Sequence, residues 1–206
     1  MVLILASTSP QRKKLLADAG YSFESVDPGD AEDSITSAAT PTSLAVAKAC
    51  AKAEAVVRTF KRPGPAIVIG ADTLVALGPS VADVIGKPLD RTDAKCILNR
   101  LSGTRHEVIS GLCVWPIAGS GAQSQGCWMT AVSTFIQMRS MTPEEIDAYV
   151  DSGESDGKAG AYAIQEKGDC FVASVDGSFA NVVGFPIEVF QKELPRLLKK
   201  WNFNQR

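Results

Sequence analysis

VLILASTSPQRKKLL, running from Val2 to Leu16, is the stretch that decides the fold. Val2 to Ala6 is an unbroken apolar run, which is how a strand buried on both faces reads. Ser7-Thr8-Ser9-Pro10 interrupts it. Ser9 can cap a helix and Pro10 suits the first helical position. Leu15, Leu16 and Ala19 then form an apolar stripe that stops at Gly20. Three hydroxyls, a helix N-terminus and the cations Arg12, Lys13 and Lys14 therefore crowd the end of a buried strand. Free N–H groups and the helix dipole favour an anion there, and phosphate is the usual one. The alternative is a capped helix with a solvated basic turn.

The composition bounds what surrounds this stretch. A chain of 206 residues suffices for one well-cored domain or for two lobes sharing a cleft. A net charge of −2 gives no general attraction to nucleic acid. Cys50, Cys96, Cys113, Cys127 and Cys170 are odd in number, widely spaced and without CxxC or zinc spacing, so reduced thiols in a cytoplasmic protein are expected. The first apolar run is too short for a signal peptide, and no run is long enough to cross a bilayer.

Outward from the opening stretch, Tyr21 to Val26 reads as a strand and Asp27 to Ser34 as an acidic loop containing Glu32. Thr40-Pro41 opens an alanine-rich helix to about Phe60, with Lys48 and Lys52 one turn apart on one face. Ala66 to Gly70 is a second buried strand, and Ala71-Asp72-Thr73 separates it from the apolar run Leu74 to Leu77. A carboxylate between two apolar runs must meet a cation, a metal or several donors, or else cap a turn. Val81 to Ile85 reads as a short strand ending at Gly86-Lys87-Pro88, where Lys87 is held extended by the following proline. Thr92 to Leu101 is a helix. His106, the single histidine, reads as structural. Glu107 to Ile117 and Cys127 to Met138 are longer strands, and the loop Gly119 to Gly126 joins them. Thr142-Pro143-Glu144-Glu145 is a capping box. Asp176-Gly177 signals a hairpin between Cys170–Val175 and Ser178–Val183. Pro186 opens a last amphipathic helix, expected to bend or break at Pro195. The pattern is α/β: a mixed twisted sheet flanked by helices.

Six motifs stand in order: Leu5 to Arg12, Ile69 to Thr73, Gly86-Lys87-Pro88, Leu101-Ser102-Gly103, Lys158 to Gln165, and Asn181 to Pro186. Together they resemble the Maf family, first named for inhibition of septum formation. The resemblance covers nearly the whole chain. It implies a nucleoside triphosphate pyrophosphatase with an inosine-triphosphatase-like fold, one domain over 1–206 with two lobes around a central cleft. It implies Asp72 as general base, Glu32 as the acidic-loop glutamate and Lys87 as the Lys-Pro lysine. The helix lysine matches Lys52 best, with Lys48 the runner-up. The family's first motif usually reads Ser-x-Ser-Pro-Arg-Arg; here Ser7 and Ser9 match, Gln11 replaces the first arginine and Arg12 matches the second. Thr73 and Gln165 match the dTTP/UTP branch rather than the 7-methyl-GTP branch. Gly157 stands where the family usually has Asp before Lys-Ala-Gly, with Asp156 beside it. A homodimer is implied by the resemblance only.

These residue types suit that chemistry. A triphosphate needs cations, and Arg12 offers a fork while Lys52 and Lys87 offer point charges. Mg²⁺ or Mn²⁺ wants oxygen ligands, which Glu32 and Asp72 carry. The expected reaction is release of pyrophosphate from dTTP, UTP or modified pyrimidine triphosphates. The rivals are a 7-methyl-GTP pyrophosphatase and a non-catalytic, nucleotide-binding regulator of division.

Overall fold

The computed structural model describes residues 1–117, 126–164 and 167–203. Among these, seven strands form one mixed sheet: β1 (Val2–Ala6), β2 (Glu24–Val26), β3 (Ala66–Ala76), β4 (Val84–Ile85), β5 (Arg105–Ile117), β6 (Trp128–Met138) and β7 (Val172–Asp176). The helices are α1 (Pro10–Asp18), α2 (Pro41–Thr59), α3 (Arg91–Leu101), α4 (Pro143–Asp151), α5 (Phe179–Val183) and α6 (Ile187–Lys200). The strand order is β2-β1-β3-β5-β6-β7, with β4 on β3. β1 runs parallel to β2 and β3, and the remaining pairings are antiparallel. The expected mixed sheet flanked by helices is what the chain forms.

The capping chemistry acts where the sequence places it. Ser9 accepts from the Arg12 N–H, with Pro10 at the start of α1. Thr40 and Ser43 cap α2 reciprocally, and Thr142 and Glu145 cap α4. Three local expectations are overturned. Val81–Asp83 is a 3₁₀ turn, leaving only Val84–Ile85 as strand. The segment after Asp176-Gly177 is not the second arm of a hairpin: Ser178 caps Asn181, and Phe179–Val183 winds into α5. α6 continues through Pro195. Gln191 and Pro195 are both exposed, so the carbonyl that proline leaves without a helical donor can meet water.

A fourth correction bears on the site. Ala66 to Ala76 is one continuous strand, with Asp72 in its interior instead of at a strand end. β5 pairs along the whole of one edge of β3. On the other edge, β1 stops where Ala6 meets Gly70, and β4 begins where Ile85 meets Val75. Among the described residues no strand pairs with Ala71 to Leu74 on that edge, and the sheet is open there at the C-terminal end of β1. Crevices of this kind are where open α/β sheets bind ligands. Apolar clusters flank the gap. One gathers Leu5, Ile67, Ile69, Phe185 and Phe190; another gathers Val75, Ile85, Leu98, Val108 and Tyr162.

The opposite layer is set by two glycines. A Cβ on Gly70 would stand 2.1 Å from the Ala49 carbonyl oxygen, and one on Gly111 would stand 2.2 Å from that of Ala45. Only glycine allows α2 to lie so close on β3 and β5. That approach brings the buried face of α2 down onto Asp72.

Candidate active site

The open edge of β3 faces a cleft of about 360 Å³. Ser7, Ser9, Gln11 and Arg12 line it from the β1–α1 turn, Glu32 from the acidic loop, Lys52 from α2, Asp72 and Thr73 from β3, and Lys87 from the loop after β4. The structure thus brings together nine of the ten residues singled out in the sequence. The tenth, Gln165, lies outside the described residues. Lys48, half-buried one turn before Lys52, is not in the lining.

The innermost group is a buried triad. Lys52 Nζ lies 2.7 Å from Asp72 Oδ1 and 2.8 Å from Glu32 Oε1. Lys52 and Asp72 are only 7% and 8% exposed. Such a pair is costly to desolvate and costlier to break, so its position is strongly determined. Burial works against ionisation of Glu32, but the hydrogen bond from Lys52, a backbone N–H and the nearby Lys87 outweigh it and hold its pKa below the ordinary value. Glu32 Oε2 is buried with no hydrogen-bond partner. A carboxylate oxygen in that state is a strong acceptor left open.

Arg12 builds the other wall. Its Nε donates to the Gly184 carbonyl at 2.8 Å, Nη1 to Ser7 Oγ at 3.3 Å and Nη2 to Thr73 Oγ1 at 3.3 Å. All three acceptors are neutral, and Arg12 makes no ion pair with a described residue. A guanidinium carries five N–H donors, so about two are left. Burial lowers the Arg12 pKa and the carboxylates of Asp72 and Glu32 pull it back up, and the group stays cationic. Thr73 Oγ1 also contacts Ser110 Oγ at 2.8 Å and the Gly184 carbonyl at 3.3 Å. Ser110 Oγ in turn donates to the Asn181 carbonyl at 3.1 Å. The Thr73 hydroxyl is therefore occupied in holding Arg12. Ser9 Oγ donates to Gln11 Oε1 at 3.1 Å, which leaves the Gln11 amide N–H groups open.

Lys87 is exposed at the mouth and makes no ion pair with a described residue. Sequence reasoning passed over Asp27, Lys158 and Tyr162, which also line the cleft. Lys158 opens the fifth quoted motif, and its position before Ala-Gly was the available signal. Tyr162 Oη lies 2.8 Å from Nε2 of the buried His106, which is not itself in the lining.

Two carboxylates beside one open oxygen form a hard donor set that fits a divalent cation such as Mg²⁺ or Mn²⁺. The Lys52 ammonium spans the same two carboxylates. Four cationic side chains around a polar cleft, Arg12, Lys52, Lys87 and Lys158, fit a polyphosphate, and a carboxylate at its floor can take a proton.

A family model described as Maf-like protein matches residues 2–197. The dTTP/UTP pyrophosphatase of Geotalea uraniireducens (strain Rf4) is 41% identical over 185 residues, covering 90% of this chain and 89% of that protein. The dTTP/UTP pyrophosphatase of Anaeromyxobacter dehalogenans (strain 2CP-C) is 41% identical over 202 residues, covering 98% and 94%. A solved nucleoside-triphosphatase / dITP/XTP pyrophosphatase from Mycobacterium abscessus gives a TM-score of 0.37 at 16% identity, covering 74% of this chain and 95% of that one, too distant a likeness to add to the assignment. With a family model spanning almost its full length and relatives of this identity over nine-tenths of it, the chain belongs to the Maf family.

Proposed function

We propose that this protein is a nucleoside triphosphate pyrophosphatase that converts dTTP, UTP and modified pyrimidine triphosphates to the monophosphate and pyrophosphate. One observation carries the reading. Lys52 bridges Asp72 and Glu32 at the unpaired edge of β3, in a cleft that also holds Arg12 and Lys87. Relatives at 41% identity bearing the name dTTP/UTP pyrophosphatase support the substrate class. The unit is one domain, 1–206, with its apolar clusters on either side of the cleft.

In this reading Arg12, Lys87 and the hydroxyls of Ser7 and Ser9 bind the phosphates, and Gln11, Thr73 and Gln165 belong to the substrate pocket. Asp72 takes the proton from a water aligned on the α-phosphorus. A new P–O bond forms from that water as the bond to the bridging oxygen breaks, and the electron pair leaves on pyrophosphate. Lys52 orients the Asp72 carboxylate through their 2.7 Å contact, and the cations stabilise the charge that accumulates on the departing group. Glu32 and Asp72 would hold Mg²⁺ or Mn²⁺, which supplies charge neutralisation on the phosphate oxygens. Lys52 and the metal need not compete, because Glu32 Oε2 is open. Five free cysteines favour the cytoplasm as the working compartment. A second copy of the chain as partner rests on the family resemblance alone.

The test is phosphorus NMR of the products from UTP and dTTP, with and without excess EDTA. The expected result is UMP or dTMP plus pyrophosphate, abolished by EDTA and restored by Mg²⁺ or Mn²⁺. Nucleoside diphosphate plus orthophosphate would overturn the bond assignment, and undiminished activity in EDTA would overturn the metal. Absence of turnover in any triphosphate would favour the non-catalytic regulator.

A further inference from the structure

The same close approach of α2 to the sheet has a second result, further back along β5. Cys113 on β5 is cross-strand from Gly70 on one side and from Met129 on the other. Residues directly opposite on antiparallel strands share a face, so Met129 stands on the face of Cys113. Cys127, two residues before Met129, belongs to that face as well. Cys50 projects onto it from α2, next to the Ala49 carbonyl that packs on Gly70. The sulfur atoms of Cys50, Cys113 and Cys127 all lie within 4.8 Å of one another. Met129 Sδ is 3.9 Å from Cys50 Sγ. All three cysteines are free; Cys113 is buried, while Cys50 and Cys127 are half-buried.

We propose that Cys50, Cys113 and Cys127, with Met129 at the rim, form a binding site for a soft d¹⁰ metal ion, best matched by monovalent copper. Three thiolates around one ion with bonds of about 2.3 Å stand roughly 3.8–4 Å apart, so the sulfurs need to close by no more than about 1 Å. A disulfide would require two of them to approach to about 2.05 Å and would leave the third unpaired. Thiolate and thioether together are a soft donor set; copper(I) accepts both, and zinc(II) takes the thiolates. The half-buried pair gives an entry path, and the buried Cys113 supplies the fixed ligand. Binding displaces a proton from each thiol that joins the ion and involves no change of oxidation state. The site is separate from the carboxylates of the nucleotide cleft in both position and chemistry, the cleft offering hard oxygens.

The experiment titrates the reduced, metal-free full chain with copper(I) under anaerobic conditions against a chromogenic copper(I) chelator. A parallel arm uses zinc(II) and a zinc chelator. The expected result is one equivalent of copper(I) held by the protein, with thiolate-to-metal charge-transfer absorption in the ultraviolet and three of five thiols protected from alkylation. Cys50→Ser and Cys127→Ser should each weaken binding by more than the roughly 10–100-fold that loss of an outer partner costs a metal site. The double variant Cys96→Ser/Cys170→Ser, outside the cluster, should bind like the wild type. Zinc uptake with the same cysteine dependence supports the same site with the other ion. Two results overturn the proposal: neither ion retained by the wild type against its chelator, or uptake unchanged in Cys50→Ser and Cys127→Ser. Thiol protection is read on the wild type, so the test survives a variant that folds poorly.

Discussion

Lys52 Nζ donates to Asp72 Oδ1 at 2.7 Å from α2 to β3, and both groups are almost fully buried. The contact exists because Gly70 and Gly111 admit the helix backbone. It joins α2 to the group that would take the proton. Replacing Asp72 by Asn keeps the shape and removes the base. Turnover of UTP should fall by about 10²–10⁴-fold. Glu32 still pairs with Lys52, so the melting temperature should change little. Wild-type turnover in a folded Asp72→Asn protein would reduce Asp72 to a structural residue.

The two lysines of the cleft should separate cleanly. Lys52→Met leaves Asp72 and Glu32 facing each other without their shared cation, and breaking a buried pair costs about 3–5 kcal/mol. The loss should shrink as pH falls, because protonation relieves two crowded carboxylates. Lys87→Ala removes an exposed side chain and should change stability by about 0.5 kcal/mol or less. Its kcat/KM should nevertheless drop roughly 10–100-fold, the worth of a charged hydrogen bond. Urea melts at two pH values and steady-state kinetics decide both. A Lys87→Ala protein that unfolds readily yet keeps its activity would contradict the phosphate role.

What could be read in the sequence was what is local. The β1–α1 turn, the Ser9 cap and the Thr142–Glu145 capping box depend on neighbours within a few residues, and each forms where expected. Asp72 and Lys87 were legible because their chemistry was out of place, a carboxylate between apolar runs and a lysine held by a proline, whereas Glu32, Lys52, Thr73 and Gln165 came from the family resemblance alone. The exceptions are tertiary. Asp72 reads as a break, but β5 pairs across it and makes one strand of Ala66 to Ala76. Asp176-Gly177 promises a hairpin, yet Asn181 is drawn into a helix whose side chain donates to the Val108 carbonyl and Thr134 Oγ1. The sulfur cluster has no sequence signature at all, since its members come from α2, β5 and the start of β6. The occupation of the Thr73 hydroxyl by Arg12 is likewise visible only in three dimensions.

His106 gives the pH dependence of stability. It is 2% exposed, and burial lowers its pKa from 6.5 to about 4. The unfolded chain takes up a proton near the ordinary value, while the folded chain refuses it until about 4. The stabilisation is therefore full above pH 6.5, lost as pH falls from 6.5 to about 4, and flat below. The size is roughly 3 kcal/mol from the linkage relation. Glu32, whose pKa is depressed, adds loss at lower pH with the same sign. Urea melts across this range on wild type and His106→Gln should show a shallower slope for the variant above pH 4. Parallel slopes would mean that His106 titrates normally in the fold.

Selectivity for the base is the last expectation, and it turns on Gln11. With Thr73 Oγ1 accepting from Arg12 and its one proton shared between Ser110 Oγ and the Gly184 carbonyl, its hydroxyl has no donor left for a base. Recognition of a pyrimidine edge then falls to the open amide N–H groups of Gln11 and to Gln165. A glutamine side chain both donates and accepts, which matches the alternating edge of uracil or thymine. A base lacking the partner leaves those groups unsatisfied on binding, and that asymmetry is what makes hydrogen-bonding sites selective. UTP and dTTP should therefore exceed 7-methyl-GTP in kcat/KM by at least about 10–100-fold. Cytosine presents a different edge, which the rotatable Gln11 amide can partly serve, so CTP should rank between them. Gln11→Arg replaces a neutral group by a fixed charged fork and loses the acceptor for Ser9 Oγ, so the ranking among UTP, dTTP and CTP should sharpen. The measurement is kcat/KM for the four triphosphates and 5-methyl-UTP in both proteins. A wild-type preference for 7-methyl-GTP would reverse the branch assignment, and identical rankings in Gln11→Arg would move the choice of base to Gln165.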